Sequence, residues 1–336
     1  MNNQEAKKLA TKVLEKLSSK ITKKDRLILG FSGGADSTFL LHFLKKTPTK
    51  ELIVAHLNHS LRGKESDLDE KFALSQSGKN LTIITKKVDI KKLAKKEKIG
   101  LEEAGRKVRY EFFNELAQEY KAKYILTAHH ADDNLETILL NFTRGASLKG
   151  LCGMEEVQET TEKIILYRPL LDLSKTEILA YLKTQKIRYR EDKTNKDAAY
   201  RRNYIRHKVI PALIEINPSL PKTAAKNSKN IREISDFLEE KAVNWLKTHL
   251  KKESENEVNI SRADFMKVHR ALQQQIIRAV YRFLTGNNQN IETIHMEEVL
   301  KIIRENIGNK KKKLGKTTIS LKNNIINCLK LPYNTK

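Results

Sequence analysis

Cysteine is scarce in this sequence and long apolar runs are missing from it. Only Cys152 and Cys328 occur in 336 residues, far apart and in no CxxC pair, which excludes a disulfide framework and a tetrahedral thiolate metal site. The apolar runs are a few residues long, against the roughly 20 needed to cross a bilayer, and no secretory h-region follows Met1. A cytoplasmic protein with no membrane partner is expected. Met1 to Lys20 is amphipathic and basic, but Glu5, Glu15 and the lack of Arg argue against a transit peptide; it reads as an ordinary first helix. Lysine is what the chain has in excess, with 48 Lys and 17 Arg against 41 acidic residues and a net charge of +24. Abundant Lys, Asn and Ile together match an AT-rich coding sequence, and charge beyond that bias points to a polyanionic partner. The length allows two or three domains, each able to bury a core.

Along the first two thirds, short apolar runs alternate with helix-like segments. Arg26–Phe31, Glu51–Leu57, Leu81–Val88, Lys123–Ala128 and Ile164–Leu173 read as strands. Glu65–Ser75, Ile90–Lys98, Glu102–Tyr120 and Asp132–Thr143 read as helices, and Ser174 caps another that runs to about Lys183. This alternation predicts an α/β domain with a parallel five-stranded sheet covered by helices on both faces. Ligands in such sheets sit at the carboxyl ends of the strands, where Ser32–Ser37, His56–Arg62 and His129–Glu136 fall. A loop at Ile187–Asp197 leads to an arginine-rich helix, Ala198–Leu213. Asn217, Pro218 and Pro221 mark a boundary, giving domains 1–215 and 216–336. The second domain is expected to be mainly helical. One helix is capped by Ser261, runs through Phe283 and stops at Gly286; another covers Ile291–Asn306; a hairpin forms at Thr317–Leu331; and Lys310–Lys313 is a solvated charge run.

Ser32-Gly33-Gly34-Ala35-Asp36-Ser37 follows a buried-type strand and opens a helix. Adjacent glycines let backbone N–H groups approach an anion, the serines add donors, and the helix N-terminus contributes positive potential. This is a phosphate site without the Lys that closes the common NTPase loop. Asp36 would repel a bare polyphosphate, so its presence suggests a bridging Mg²⁺.

The Ser32–Ser37 segment resembles the pyrophosphate loop of the N-type ATP pyrophosphatases. Four further segments occur in the order seen in the tRNA(Ile)-lysidine synthetase family, which the chain resembles to about residue 215. They are His56–Arg62 (HLNHSLR), Glu103–Tyr110 (EAGRKVRY), His129–Thr137 (HHADDNLET) and Asn141–Gly150. Arg168–Leu171 (RPLL), Glu191–Asn195 (EDKTN) and Tyr200–His207 (YRRNYIRH) continue the likeness. The resemblance implies an ATP-dependent ligase of the PP-loop superfamily that joins free L-lysine to C2 of the wobble cytidine of an isoleucine tRNA with a CAU anticodon. The reaction passes through an adenylated cytidine and gives lysidine, AMP and pyrophosphate. Asn134 stands where Gln is usual and Ala104-Gly105-Arg106 replaces Ala-Ala-Arg. Longer members also carry two C-terminal domains, whereas about 120 residues follow the boundary here.

The resemblance places ATP on Ser32, Gly33, Gly34, Ala35, Asp36 and Ser37, with His56 and His129 at the nucleoside and the metal on Asp36. Lysine must give up a proton from a group of pKa about 10.4, and Asp133 and Glu136, at i and i+3 on one helix face, suit that task. Asp132 points to the metal or to a cap. Arg106 and Arg109, one turn apart, are assigned to ATP or the transition-state charge; the blander reading pairs them with Glu102 or Glu103. Arg144, Arg202, Asn203, Arg206 and His207 are assigned to phosphate or tRNA. The alternatives are a related tRNA sulfur transferase, for which two isolated cysteines are too few, a metabolic amidotransferase, and an RNA-binding module without chemistry. A homodimer is left open.

Overall fold

The computed structural model describes residues 1–61, 63–160, 163–191, 201–286, 293–308 and 310–331. Arg62, the part of the EDKTN run from Asp192, and the start of the expected Ala198–Leu213 and Ile291–Asn306 helices lie outside the described residues. Packing divides the chain into two compact units, Met1–Leu140 with Gly153–Lys226, and Asn141–Cys152 with Asn227–Lys336.

The first unit is built on β1 (Arg26–Gly30), β2 (Glu51–Asn58), β3 (Leu81–Lys87), β4 (Tyr124–Leu126), β5 (Val157–Glu159) and β6 (Ile165–Tyr167), in the order β3-β2-β1-β4-β6-β5. The five expected strands pair in parallel. Alternation along β1 explains the two helical layers. Leu27 and Leu29 pack with the helices Asn3–Ser18, Ala35–Leu44 and Lys175–Thr184, whereas Ile28 faces Ile90–Glu97 and Leu101–Glu119. Capping boxes at Asn2/Glu5 and Ser174/Glu177 fix two of these helix starts. The strand order reverses between β1 and β4, so a crevice opens at their carboxyl ends. The sheet has six strands rather than five, because β5 folds back antiparallel on β6. Its three residues, all exposed, carry no buried periodicity to betray a strand.

The second unit corrects the expectation of a mainly helical domain. Its helices include the end of the 30-residue Leu220–His249 helix, Arg270–Thr285 and Thr293–Arg304, and they share a core with a five-stranded antiparallel sheet. The strands are β7 (Leu250–Lys252), β8 (Glu257–Ser261), β9 (Lys311–Leu314), β10 (Thr317–Lys322) and β11 (Ile325–Lys330), ordered β7-β8-β11-β10-β9. β10 and β11 form the expected hairpin. Of the lysine run, Lys311, Lys312 and Lys313 lie on the edge strand β9, with Lys311 and Lys313 exposed. Ser261 does cap a helix, but that helix ends at Lys267. Val268 is extended and His269 starts a new helix, which stops at Gly286 with φ 78°. Among the described residues no helix is long and apolar enough to cross a membrane.

Candidate active site

The loop after β1 is shaped by its glycines. Gly33 has φ 83°, a Cβ there would lie 3.2 Å from the Phe72 ring, and Gly34 caps the Ala35–Leu44 helix with no side-chain bond of its own. Hydroxyls hold the turn: the Gly34 N–H donates to Ser32 Oγ at 3.3 Å, Ser37 Oγ donates to the Gly34 carbonyl at 3.1 Å, and Thr38 Oγ1 donates to the Gly33 carbonyl at 3.2 Å. Ala35 is buried in the first turn. Asp36 follows it, and its Oδ1 accepts from Lys175 Nζ at 2.6 Å. A lysine therefore does meet this loop, from 139 residues away. Its backbone N–H donates to Asp132 Oδ2 at 2.8 Å, so Asp132 helps start the Lys175–Thr184 helix.

The two histidines after β4 diverge. His129 lines the cleft, its Nδ1 is 2.8 Å from Thr127 Oγ1, and burial lowers its pKa to about 4, keeping it neutral. His130 is buried, 3.3 Å from Asp132, 3.4 Å from Asp133 and 3.7 Å from Asp36. Burial opposes its charge, yet these carboxylates outweigh burial and raise its pKa. Asp133 accepts the His130 N–H at 3.1 Å and Arg206 Nη2 at 3.2 Å. Burial works against its ionisation, but His130 and Arg206 hold its carboxyl below the usual range.

Glu136 is 2% exposed. It receives Arg202 Nε at 3.1 Å and Arg206 Nη2 at 2.9 Å, and Arg206 Nε binds its other oxygen. The helical stretch Arg201–Tyr204 passes into a π-turn at Ile205–Val209, a distortion often found at functional positions. The structure thus joins two groups that the sequence kept apart, the acidic pair and the arginine pair.

One cleft of about 680 Å³ gathers most of these side chains. Ser32, Asp36, Ser37, His56, His129 and Asp133 line it, facing Arg106, Arg109, Arg202, Asn203 and Arg206. Arg106 lies over the Tyr110 ring at 5.0 Å and Arg109 Nη2 is 3.5 Å from His59 Nε2. Neither pairs with Glu102 or Glu103; Glu102 instead meets Arg202 at 3.4 Å. His56 Nδ1 is 3.0 Å from the Phe31 carbonyl, which can only accept, so that nitrogen carries the proton. Burial lowers the His56 pKa, and its Nε2 is a buried acceptor with no partner among the described residues.

Glu136 stands behind the cleft wall rather than on it. His207 is exposed and does not line the cleft, and Arg144 belongs to the second unit, exposed after the Ala131–Thr143 helix. Asn134 turns inward, accepting the Met154 N–H at 2.7 Å, so its exchange for Gln concerns packing. Sequence reasoning missed Lys175 and Arg190. The Arg190 N–H donates to the Gly33 carbonyl at 2.9 Å, and its guanidinium meets Asp69 at 2.9 Å and Glu65 at 2.7 Å. No local pattern marks either residue, since both reach the loop through the tertiary fold.

Comparison with known proteins shows what the chain resembles in sequence and in fold. The chain is 36% identical over 296 residues to the tRNA(Ile)-lysidine synthase of Clostridium tetani, covering 86% of this chain and 62% of the relative. It is 42% identical over 216 residues to the enzyme of the same name from Porphyromonas gingivalis strain W83, covering 63% of this chain and 46% of that one. It therefore spans about half to two thirds of the length of these relatives. Among solved structures, the U34-tRNA thiolase NcsA from Methanococcus maripaludis superposes with a TM-score of 0.55 at 16% identity, covering 68% of this chain and 78% of the thiolase, a likeness of fold alone. Residues 3–213 match the PP-loop domain, and with a glycine loop at the tip of its first strand the chain belongs to that family.

Proposed function

We propose that this protein ligates free L-lysine to C2 of the wobble cytidine of the isoleucine tRNA with a CAU anticodon, using ATP. The observation that carries the proposal is that the phosphate loop with Asp36 and the acidic position Asp133 open onto one arginine-lined cleft. Arg206 adds support: its cationic head rests on Asp133 and Glu136, so the same two carboxylates suit the cationic head of a lysine.

In the first step the cytidine O2 bonds to the α-phosphorus and the bond to the β-phosphate oxygen breaks, releasing pyrophosphate. The amides and hydroxyls of Ser32–Ser37 bind the departing phosphates, and Arg106, Arg109, Arg202 and Arg206 offset the developing charge. His56 offers Nε2 to the adenosine, and neutral His129 completes the nucleoside wall without adding charge. Asp36, with ATP phosphate oxygens, suits Mg²⁺, which keeps few protein ligands; when bound, the ion would neutralise polyphosphate charge. Among the described residues no three His, Cys, Asp or Glu side chains form a cage for a metal.

In the second step the lysine ε-amine bonds to C2 and AMP leaves. Asp133 and Glu136 hold the ammonium and draw off its proton, with Arg206 moving from the carboxylates to the phosphate. The second unit serves as the tRNA-positioning part. A sulfur transfer is disfavoured because Cys152 and Cys328 are both buried in the second unit and neither lines the cleft.

The test is incubation with ATP, radiolabelled lysine and tRNA transcripts. Label is expected in the anticodon loop of the isoleucine transcript, with one pyrophosphate released per lysine. ATP-dependent modification that incorporates no lysine would overturn the assignment.

A further inference from the structure

We infer that the Ile90–Glu97 helix is a docking strip for the phosphodiester backbone of the RNA that enters the cleft, an inference that rests on the function proposed above. Ile90 and Ala94 are buried in the core under the sheet, which leaves Lys91, Lys92, Lys95, Lys96 and the cap residue Lys98 exposed. None of these five ammonium groups has a carboxylate or hydrogen-bond partner among the described residues. The one acid of the helix, Glu97, is engaged by Lys107 at 2.7 Å. Some lysines elsewhere in the unit are tied down, as Lys12 is to Asp172 at 2.7 Å, and others, Lys7, Lys8, Lys23 and Lys24 among them, are exposed as these are, so what sets the helix apart is four lysines in one i, i+4 cluster beside the cleft-wall helix.

Folding alone does not account for the pattern. Lys91 with Lys95, and Lys92 with Lys96, are like charges at i and i+4, a spacing that weakens a helix. Asp89 caps the start, accepting the Lys92 N–H at 3.0 Å, and Lys98 ends the helix with φ 56°. The strip is also continuous with the site. Ile99 and Gly100 lead directly into the Leu101–Glu119 helix, whose Leu101, Glu102, Gly105, Arg106 and Arg109 form a wall of the cleft. On this inference a single base inserted in that cleft leaves its flanking phosphates outside, to be met by the lysines of the helix that precedes the cleft wall. Eight residues at roughly 1.5 Å each give about 12 Å of helix, enough for three or so phosphates of one strand at about 3.4 Å of axis each.

The experiment uses the full chain carrying K91Q, K92Q, K95Q and K96Q, since Gln and Lys have similar helix propensity. The KM for tRNA should rise roughly 10-fold, and the slope of log affinity against log salt should become shallower by about 0.7 to 0.9 for each phosphate no longer neutralised. The KM values for ATP and lysine should stay unchanged, and Arg at all four positions should restore tRNA binding. A control replaces four other exposed lysines, Lys7, Lys8, Lys23 and Lys24, by Gln and should leave the slope alone. Unchanged tRNA KM and slope in the first variant would overturn the inference, as would an equal loss in the control, because bulk charge would then suffice. Direct RNA binding decides the strip even if the unaltered protein transfers no lysine, a result that would overturn only the functional reading.

Discussion

Two guanidinium groups converge on Glu136, the most enclosed carboxylate of the site. Removing it leaves Arg202 and Arg206 without their shared partner, so Glu136→Ala should lower unfolding stability by about 2 to 3 kcal/mol, given that both arginines can still reach water. Glu136→Gln keeps hydrogen-bond acceptance and should fold nearly normally. Pyrophosphate release with tRNA should persist in the Gln variant while lysine incorporation fails; normal lysine incorporation would remove Glu136 from the amine site. Gly33 gives a second residue-scale case. At φ 83°, with Phe72 3.2 Å from where a Cβ would stand, Gly33→Ala must strain the turn by about 1 to 2 kcal/mol. ATP affinity in an equilibrium binding assay should fall roughly 10-fold, since the loop amides lose their aim. Asp36 has Lys175 as its partner at 2.6 Å. Asp36→Asn should abolish adenylation, whereas Lys175→Ala should slow it, both read as tRNA-dependent pyrophosphate release.

The Ala35–Leu44 helix carries the phosphate loop at one end and a titrating contact near the other. His42 Nε2 lies 2.8 Å from Lys46 Nζ and 3.3 Å from the Tyr181 hydroxyl, and burial, with Lys46 and Lys45, lowers its pKa to about 4. The unfolded chain takes up a proton near pH 6.5 that the folded helix refuses, so the contribution of this group is full above that pH and is lost as pH falls towards about 4. His42→Phe should therefore flatten the dependence of Tm on pH between about 6.5 and 4 in thermal melts, while His56 and His129, also lowered by burial, keep their share. Elements of this kind were legible in the sequence because buried strands and capped helices write short-range patterns. RLILG before Ser32 and the Ser174/Glu177 capping box are visible without tertiary knowledge. β8 is not, because Glu257–Ser261 has only two buried positions, Val258 and Ile260, and it needs β11 from some 65 residues on to complete it. Within the site, the glycine loop and the acidic helix turn are contiguous motifs. The Lys175 to Asp36 and Arg202 to Glu136 contacts join distant segments, and sequence alone treated their members as separate devices.

At the scale of the whole molecule the dominant quantity is the charge of +24, and where it serves RNA rather than solubility can be resolved by position. In the second unit β9 is an edge strand bearing Lys311, Lys312 and Lys313. Lysines on an edge discourage pairing with another chain, so these side chains have a structural duty apart from any role with RNA. Lys312 is held by Glu298 at 2.5 Å. Lys311 and Lys313 are exposed and, two residues apart on a strand, share a face. If the second unit positions tRNA, changing Lys311 and Lys313 together to Ala should weaken tRNA binding and flatten the salt slope by about 1 for each phosphate left without its lysine, without altering preference for the anticodon base. Lys312→Ala should do neither, because its charge is already paired with Glu298. Binding titrations at several salt concentrations, paired with sedimentation of the free protein, separate the two duties: an unchanged slope together with concentration-dependent self-association would assign the run to edge protection alone.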